Sequence, residues 1–197
     1  MFDDDDFSGC NLNAAILKDV WFRNCLFRKT KFDGVKAFDG GATNCKFIGV
    51  DFSRTTFASN RANYDSCTFE RCNFKGQHFV FTRFDSCIFL GCRLQNINFN
   101  ASSFLKCSFA GKLQDVEFNG IYDTNKSAFT PLLNLDFSKA EFGDYVGFSD
   151  CDLATCIPPE GRTLEEILYH PYENDSKYLT TGTKDRLVIK RIGPKGA

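Results

Sequence analysis

Large apolar residues recur at every fifth position along most of this chain. The series begins at Phe2, slips by two positions after Ala62 and runs again from Tyr64 to Phe109. These two frames hold sixteen of the 23 phenylalanines. A helix repeats its buried face about every 3.6 residues and a strand every second residue, so a period of five belongs to neither. The pattern indicates a repeat whose structural unit has five residues.

The cysteines follow the same frame. Nine of the ten cysteines lie two residues before a large apolar residue of the series: Cys10, Cys25, Cys45, Cys67, Cys72, Cys87, Cys92, Cys107 and Cys151. A small residue, an outward residue and a large apolar residue describe the alternation of a very short strand. The other two residues of each unit must turn the chain, and Gly34, Gly49 and Gly76 occupy that part of the unit.

Four such turns close a square coil of about twenty residues, and successive coils stack about 4.8 Å apart through backbone hydrogen bonds. Stacking places each residue above its counterpart twenty positions earlier, which predicts ladders of identical side chains in the interior. The predicted ladder residues are Phe7, Phe27, Phe47, Phe69, Phe89 and Phe109, with Cys67, Cys87 and Cys107 beside them. Each buried phenylalanine contributes roughly 1.5–3 kcal/mol.

Residues 72–76, C-N-F-K-G, match every place of the pentapeptide-repeat consensus: a small residue, Asp or Asn, Leu or Phe, a polar residue and Gly. Residues 10–12, 50–52 and 151–153 match its first three places. The chain therefore resembles the pentapeptide-repeat family over about residues 2–157. The resemblance implies an all-β fold, a right-handed quadrilateral parallel β-helix. It is specific for fold and only weakly so for function, because the family shares an architecture more than an activity.

We assign residues 1–157 to the solenoid and residues 158–197 to a C-terminal cap and basic tail. Pro158 ends the repeat, and Thr163 with Glu166 forms a capping-box pattern that predicts a short α-helix to about His170. This helix is expected to cover the end of the solenoid, because an uncovered end exposes apolar interior and unpaired strand edges. The tail either packs its apolar residues against the body or binds an acidic partner or nucleic acid.

The repeat is interrupted in three places. Around Ala37 and Ala42, where two interior residues are undersized, we expect a local bulge that swings Phe38 inward. The two-residue slip predicts a short outward loop or a corner distortion between residues 57 and 67. Residues 119–134 have no five-residue frame and predict a projecting loop or irregular coil, which is either a tolerated insertion or a contact site. The candidate partner-binding residues of this loop are Tyr122, Asp123, Lys126 and Phe129.

The N-terminal coil is expected to present an open rim, because Phe2 already occupies an interior position. Four aspartates at residues 3–6 lie on this rim. Three interpretations remain open. The charges prevent pairing of strand edges; the rim binds a partner or a second copy, which gives a homodimer through an end of the solenoid; or the chain is a fragment of a longer protein.

The sequence lacks the groups that catalysis requires. The two histidines are His78 and His170, and the cysteines have no metal-binding spacing. Stacked thiols would suit a metal site or disulfides, but parallel side chains about 4.8 Å apart are too distant for a disulfide. We therefore predict small buried hydrophobic residues, no cofactor, no metal and no enzymatic activity. No apolar run approaches the length that spans a membrane, and we expect a soluble cytoplasmic protein.

The function predicted from the sequence is a protein-interaction scaffold with an unknown protein partner. The alternative comes from the resemblance, since family members that protect DNA gyrase or topoisomerase IV from quinolones or toxins imitate duplex DNA. Residues 1–157 carry 17 basic and 19 acidic side chains, a net charge of only −2, which is weak for a DNA mimic. Direct binding of nucleic acid is not expected. A continuous acidic stripe would favour mimicry, whereas mixed faces would favour a scaffold.

Overall fold

The computed structural model describes residues 1–57, 61–119, 132–149, 151–164, 166 and 188–189. Most of these residues form an all-β parallel solenoid of about six turns, whereas residues 188–189 pair antiparallel with residues 151–152. Its strands, in chain order, are β1 (Phe2–Asp3), β2 (Ile16–Lys18), β3 (Trp21–Arg23), β4 (Leu26–Arg28), β5 (Lys36–Phe38), β6 (Gly41–Thr43), β7 (Lys46–Ile48), β8 (Asn63–Asp65), β9 (Thr68–Glu70), β10 (His78–Val80), β11 (Arg83–Asp85), β12 (Ile88–Leu90), β13 (Leu94–Asn100), β14 (Ser103–Leu105), β15 (Ser108–Asn119), β16 (Leu132–Leu133), β17 (Asp136–Phe142), β18 (Val146–Ser149), β19 (Cys151–Asp152) and β20 (Val188–Ile189).

Neighbouring turns pair in parallel with the register that the repeat predicts. Phe2 pairs with Phe22 and Phe22 with Ala42, a spacing of twenty residues. The frame slip lengthens one spacing by two residues, so Ala42 pairs with Tyr64. The spacing of twenty then returns where Tyr64 pairs with Phe84. Each regular turn therefore contains four units of five residues, and equivalent units of successive turns form four faces.

The inward-facing large residues form four columns, which we number I to IV together with the faces outside them. Column I consists of Phe2, Phe22, Ala42, Tyr64, Phe84, Phe104 and Leu132. Column II consists of Phe7, Phe27, Phe47, Phe69, Phe89, Phe109 and Phe137. Column III consists of Leu12, Phe32, Phe52, Phe74, Leu94, Leu113 and Phe142. Column IV consists of Leu17, Ala37, Phe57, Phe79, Phe99, Phe118 and Phe148. Members at the same position in the four columns form a row, numbered from the N-terminus.

Column II is the predicted phenylalanine ladder. From Phe7 to Phe109 its successive rings are stacked, with centroids 4.6–5.1 Å apart and ring planes 3–14° from parallel. Its five members from Phe27 to Phe109 are at most 1% exposed. The centroid spacing matches the distance between hydrogen-bonded strands, so the backbone ladder and the ring stack stabilise the same register.

The corners between faces use two local structures. In several units an Asp or Asn that precedes the large apolar residue accepts a backbone hydrogen bond from the residue two positions later, as from Ser8 to Asp6 and from Ser53 to Asp51, both at 2.8 Å. A β-turn then closes the unit, as from the Cys10 N–H to the Phe7 carbonyl at 3.0 Å. Other units have an extended strand followed by one residue in the left-handed region, such as Asn24, Asn44 or Lys106.

The expected bulge around Ala37 is absent. Strands β2 and β5 pair without interruption, with Leu17 opposite Ala37 and Lys18 opposite Phe38. Phe38 points outward and is 37% exposed. An inward swing would break the ladder at this position, including the hydrogen bond from the Asp19 N–H to the Phe38 carbonyl at 3.0 Å. The undersized interior instead leaves a cavity of about 10 Å³, which Leu17, Ala37 and Phe57 help to line.

The later turns depart from the five-residue unit. The unit from Phe109 to Leu113 has four residues, so Leu94 pairs with Leu113 at a spacing of nineteen. Strands β13 and β15 lengthen to 7 and 12 residues, and β17 and β18 pair with β15. Most of the predicted loop at residues 119–134 lies outside the described residues. The chain re-enters column I at Leu132, which pairs with Phe104.

The capping box at the predicted C-terminal helix is present. The Thr163 N–H donates to Glu166 Oε2 at 2.9 Å, and the Glu166 N–H donates to Thr163 Oγ1 at 3.2 Å. Leu164 packs partly buried against the core. The described residues include no complete helix, and residues 165 and 167–170 of the predicted cap fall outside them. The part of the chain that is described has no helix with the length and hydrophobicity to cross a membrane.

Candidate interaction surface

The thiols form ladders inside the corners rather than a reactive site. Nine of the ten cysteines are buried, and Cys10 is exposed. Sγ of Cys87 lies 3.5 and 3.3 Å from the carbonyl oxygens of Tyr64 and Asp85, and its single S–H can donate to either of them. Hydrogen bonding between neighbouring thiols, and then burial, raises the pKa of Cys45 and Cys87 above the usual range. The buried cysteines fill the small interior positions of the units.

The described residues contain no cluster of three or more His, Cys, Asp or Glu side chains that could hold a metal ion. His78 is exposed on face IV, where its strand pairs with the strand of Asn98. His170 lies outside the described residues. On the outer faces, polar side chains of successive turns do come together, as Asn24 with Asn44 and Asp51 with Asn73.

Side chains on the faces are aligned from turn to turn by hydrogen bonds. On face I the Asn44 amide donates to Asn24 Oδ1 at 2.8 Å, and on face III the Asn73 amide donates to Asp51 Oδ1 at 3.0 Å. Both pairs join residues about one turn apart. Because the backbone ladder and these contacts restrict the side chains, a partner would meet a surface that is largely ordered before binding.

Face I and its two flanking corners carry balanced charge. In rows 2–6 this surface has four basic and four acidic side chains, a net charge of zero. They are Arg23, Arg61, Arg83, Lys106, Asp19, Asp39, Asp65 and Asp85. Arg83 forms an ion pair with Asp85 at 3.2 Å. No continuous acidic stripe therefore runs along face I in these described rows.

Face III and its flanking corners are basic over the same rows. This surface has seven basic and three acidic side chains, a net charge of +4. They are Lys29, Lys31, Arg54, Arg71, Lys75, Arg93, Lys112, Asp33, Asp51 and Asp115. All seven basic residues are exposed. Across the shared corner, face II adds Arg28 and Lys46 against Glu70. We refer to face III with its two corners in rows 2–6 as the basic face.

A groove of about 370 Å³ lies on the basic face. Lys29, Lys31 and Arg54 line it together with Asp33 and Asp51. The Arg54 guanidinium pairs with Asp33 at 3.1 Å, whereas neither lysine forms an ion pair with any residue that the structure describes. Gly49 occupies the same corner position as Lys29 in the next row, and its lack of a side chain leaves space beside the aliphatic part of Lys29.

Asp51 is held as a carboxylate within the groove. Burial raises its pKa, but hydrogen bonds from Ser53 and Asn73 outweigh burial, and the nearby Arg93 adds to them, so the pKa lies below its usual value. The Ser53 hydroxyl donates at 2.6 Å and the Asn73 amide at 3.0 Å. These hydrogen bonds, and that of the Ser53 N–H at 2.8 Å, all end on Oδ1 of Asp51, so Asp51 stays a charged group of the groove beside the two lysines.

Sequence reasoning placed the candidate contact site elsewhere. Tyr122, Asp123, Lys126 and Phe129 lie outside the described residues. The basic face was missed because its charges are spread over five rows and cancel in the total for the chain. Sorting charged residues by their position in the twenty-residue frame, corrected for the slip, would have revealed it.

Comparisons with known proteins agree with the repeat. The family model for pentapeptide repeats matches residues 6–37 with eight copies. QnrB1, a plasmid-mediated fluoroquinolone resistance protein, is 17% identical over 81% of this chain and 84% of its own, with a TM-score of 0.49. A pentapeptide repeat protein of the Arabidopsis thaliana thylakoid lumen is 18% identical over 64% of this chain and 84% of its own, with a TM-score of 0.33.

HetL, a pentapeptide repeat protein involved in heterocyst differentiation regulation in the cyanobacterium Nostoc, is 14% identical over 82% of this chain and 91% of its own, with a TM-score of 0.30. No curated protein matches the chain. The five-residue period, the spacing of twenty between paired strands and the match of the family model have one explanation. The chain belongs to the pentapeptide-repeat family.

Proposed function

We propose that this protein is a non-catalytic scaffold that binds another protein through the outer faces of its solenoid. The observation that carries the proposal is the alignment of outward side chains in regular columns, joined from turn to turn by hydrogen bonds such as Asn44 to Asn24. Such a surface loses little side-chain freedom on binding, because it is ordered beforehand. Its charged side chains are of both signs, and the net charge differs from face to face. Different faces can therefore select different partners.

The chemistry of the described residues supports a binding role. A catalytic site needs a nucleophile next to a base, a pair of tuned carboxylates or a metal. The buried thiols are enclosed in the core, and His78 is exposed on a flat face. Family membership points the same way, since the pentapeptide-repeat family is generally non-catalytic.

The charge distribution supports a scaffold more than a mimic of duplex DNA. A protein that replaces DNA in a topoisomerase must present dense negative charge, since the enzyme's groove selects a polyanion. Face I is balanced and the basic face has the opposite sign to DNA. The alternative of a DNA mimic can nevertheless be tested directly with DNA gyrase.

The proposal is tested by capture with the full chain from a lysate of the source organism, followed by titration of each purified candidate by calorimetry. We expect at least one protein to bind the folded chain in a saturable manner. The absence of saturable binding by any purified candidate would reject the scaffold. A gyrase supercoiling assay, with and without a quinolone, forms the second arm: an effect of this chain on supercoiling would support the mimic instead.

A further inference from the structure

We infer that the basic face is a docking surface for a carboxylate-rich segment of a protein partner. The inference rests on the proposed scaffold function and specifies which surface acts and what it selects. Its first support is charge. In rows 2–6 the basic face has a net charge of +4, in a chain whose total net charge is −1. Face I has a net charge of zero over the same rows. A partner with acidic side chains is therefore complementary to this face and not to face I.

The arrangement of the charges suits an extended segment. In the column of residues that precede the large apolar positions, Arg93 pairs with Asn73 below and Lys112 lies one row above it. Adjacent rows are separated by about 4.8 Å, so Arg93 and Lys112 follow each other along the solenoid axis at strand spacing, while Asp51 and Asn73 separate them from Lys31. A peptide that lies along this axis can place one carboxylate-bearing stretch against Arg93 and Lys112 and another near Lys31.

Several of these charges are available to a ligand. Arg54 and Arg71 are engaged with Asp33 and Glu70 at 3.1 and 2.7 Å. Lys29, Lys31, Lys75, Arg93 and Lys112 form no ion pair within the described part of the chain. Two of them line the groove of about 370 Å³, which gives the face a concave site where a carboxylate can be partly removed from water. Charge pairs in such a site are stronger than on a flat surface.

The interspersed acids favour a polypeptide over a nucleic acid. Asp33, Asp51 and Asp115 lie among the basic residues, and a nucleic acid would place a phosphate near each of them. Asp51 is ionised, because its hydrogen bonds lower its pKa. A polypeptide can place a neutral or donating side chain opposite these carboxylates, whereas a phosphate backbone has no such choice. The net charge of +4 is also far from the strongly basic surface of a nucleic-acid-binding domain.

The test uses a fluorescein-labelled peptide of alternating glutamate and serine, measured by fluorescence anisotropy with the full chain. One variant reverses three charges of the basic face: Lys31→Glu, Arg93→Glu and Lys112→Glu. Its matched control reverses three charges of face I: Arg61→Glu, Arg83→Glu and Lys106→Glu. All six residues are exposed, and circular dichroism checks that both variants are folded. We expect the basic-face variant to weaken binding by about tenfold or more and the control by about twofold or less.

Three outcomes would overturn the inference: undetectable binding of the peptide to the native chain, equal weakening by both variants, or tighter binding of a labelled single-stranded oligonucleotide than of the peptide. The scaffold proposal is tested separately with the native partner. If that partner binds both variants as tightly as the native chain, the basic face is not the docking surface although the scaffold role stands. If no partner binds the native chain, the scaffold role itself fails.

Discussion

The interior is filled in two different ways. Column II has a stacked phenylalanine in every row from Phe7 to Phe109. Columns IV and I instead have Ala37 and Ala42 in rows 2 and 3, beside a cavity of about 10 Å³. The strands keep unbroken parallel register in both regions. The backbone ladder therefore sets the register, and the size of individual interior residues can vary around it.

The neighbouring rows compensate for the missing volume. Phe57 and Tyr64 border the gap, with ring centroids 5.7 Å apart, and both are at most 4% exposed. Gly41 lies directly beside this region, and the turns approach so closely there that its α-carbon faces the Asn63 carbonyl. The region around Ala37 and Ala42, which we call the loosely filled region, is therefore tightly packed at Gly41. The two regions of the interior should differ in the substitutions that they tolerate.

The largest expected effect is the removal of a ring from column II. Phe69 is fully buried and stacks between Phe47 and Phe89 at 5.0 and 5.1 Å. We expect Phe69→Ala to lower the free energy of unfolding by about 3–5 kcal/mol, measured by guanidinium denaturation. The control is Phe2→Ala, at a position that is 43% exposed, with an expected loss of less than about 1.5 kcal/mol. Equal losses at the two positions would show that the stack is not the stabilising element.

The next effect tests the close approach at Gly41. A Cβ atom there would overlap the backbone oxygen of Asn63 and lie 2.9 Å from the Trp21 ring. Because the obstacle is backbone, strands β6 and β8 must separate, and we expect Gly41→Ala to lower the free energy of unfolding by about 1–3 kcal/mol. Thr43→Ala, on the same strand, should change it by less than about 0.5 kcal/mol. A neutral result for Gly41→Ala would contradict the close contact of these turns.

The sequence was sufficient to predict the solenoid because each position of the unit selects its residue by volume. The five-residue period, the spacing of twenty and the capping box of Thr163 and Glu166 are local or strictly periodic signals. The inward swing of Phe38 was predicted wrongly. A volume argument favoured filling the gap beside Ala37, but the backbone hydrogen bonds of β2 and β5 outweigh one small cavity.

The candidate surface was harder to predict, because it arises only when distant residues are stacked. Lys31, Arg93 and Lys112 are far apart in sequence and share a face through the register of the turns. The slip after row 3 and the four-residue unit before Leu113 displace the later charges from a simple count in twenties. The groove adds a concave shape that no sequence pattern contains.

A smaller effect separates the two alanines of the loosely filled region. Ala42 is fully buried and does not line the cavity, whereas Ala37 lines it and is partly exposed. We expect Ala42→Val to lower the free energy of unfolding by about 1–2 kcal/mol, since added methyl groups have no free space. Ala37→Val should change it by less than about 0.5 kcal/mol, because a methyl group can enter the cavity. A larger loss of stability for Ala37→Val than for Ala42→Val, measured from the denaturation midpoints, would contradict the position of the cavity beside Ala37.

The smallest effect concerns the thiols, which occupy the small positions beside the well-filled column. Cys87 is fully buried, and its neutral thiol can donate one weak hydrogen bond to a carbonyl. If it only fills space, Cys87→Ala removes one buried sulfur and lowers the free energy of unfolding by about 1 kcal/mol. The exposed Cys10 provides the control, since Cys10→Ala should leave stability unchanged within error. A loss of several kcal/mol at Cys87 would mean that its sulfur atom makes a stronger interaction than packing, because the burial of one sulfur atom cannot account for a loss of that size.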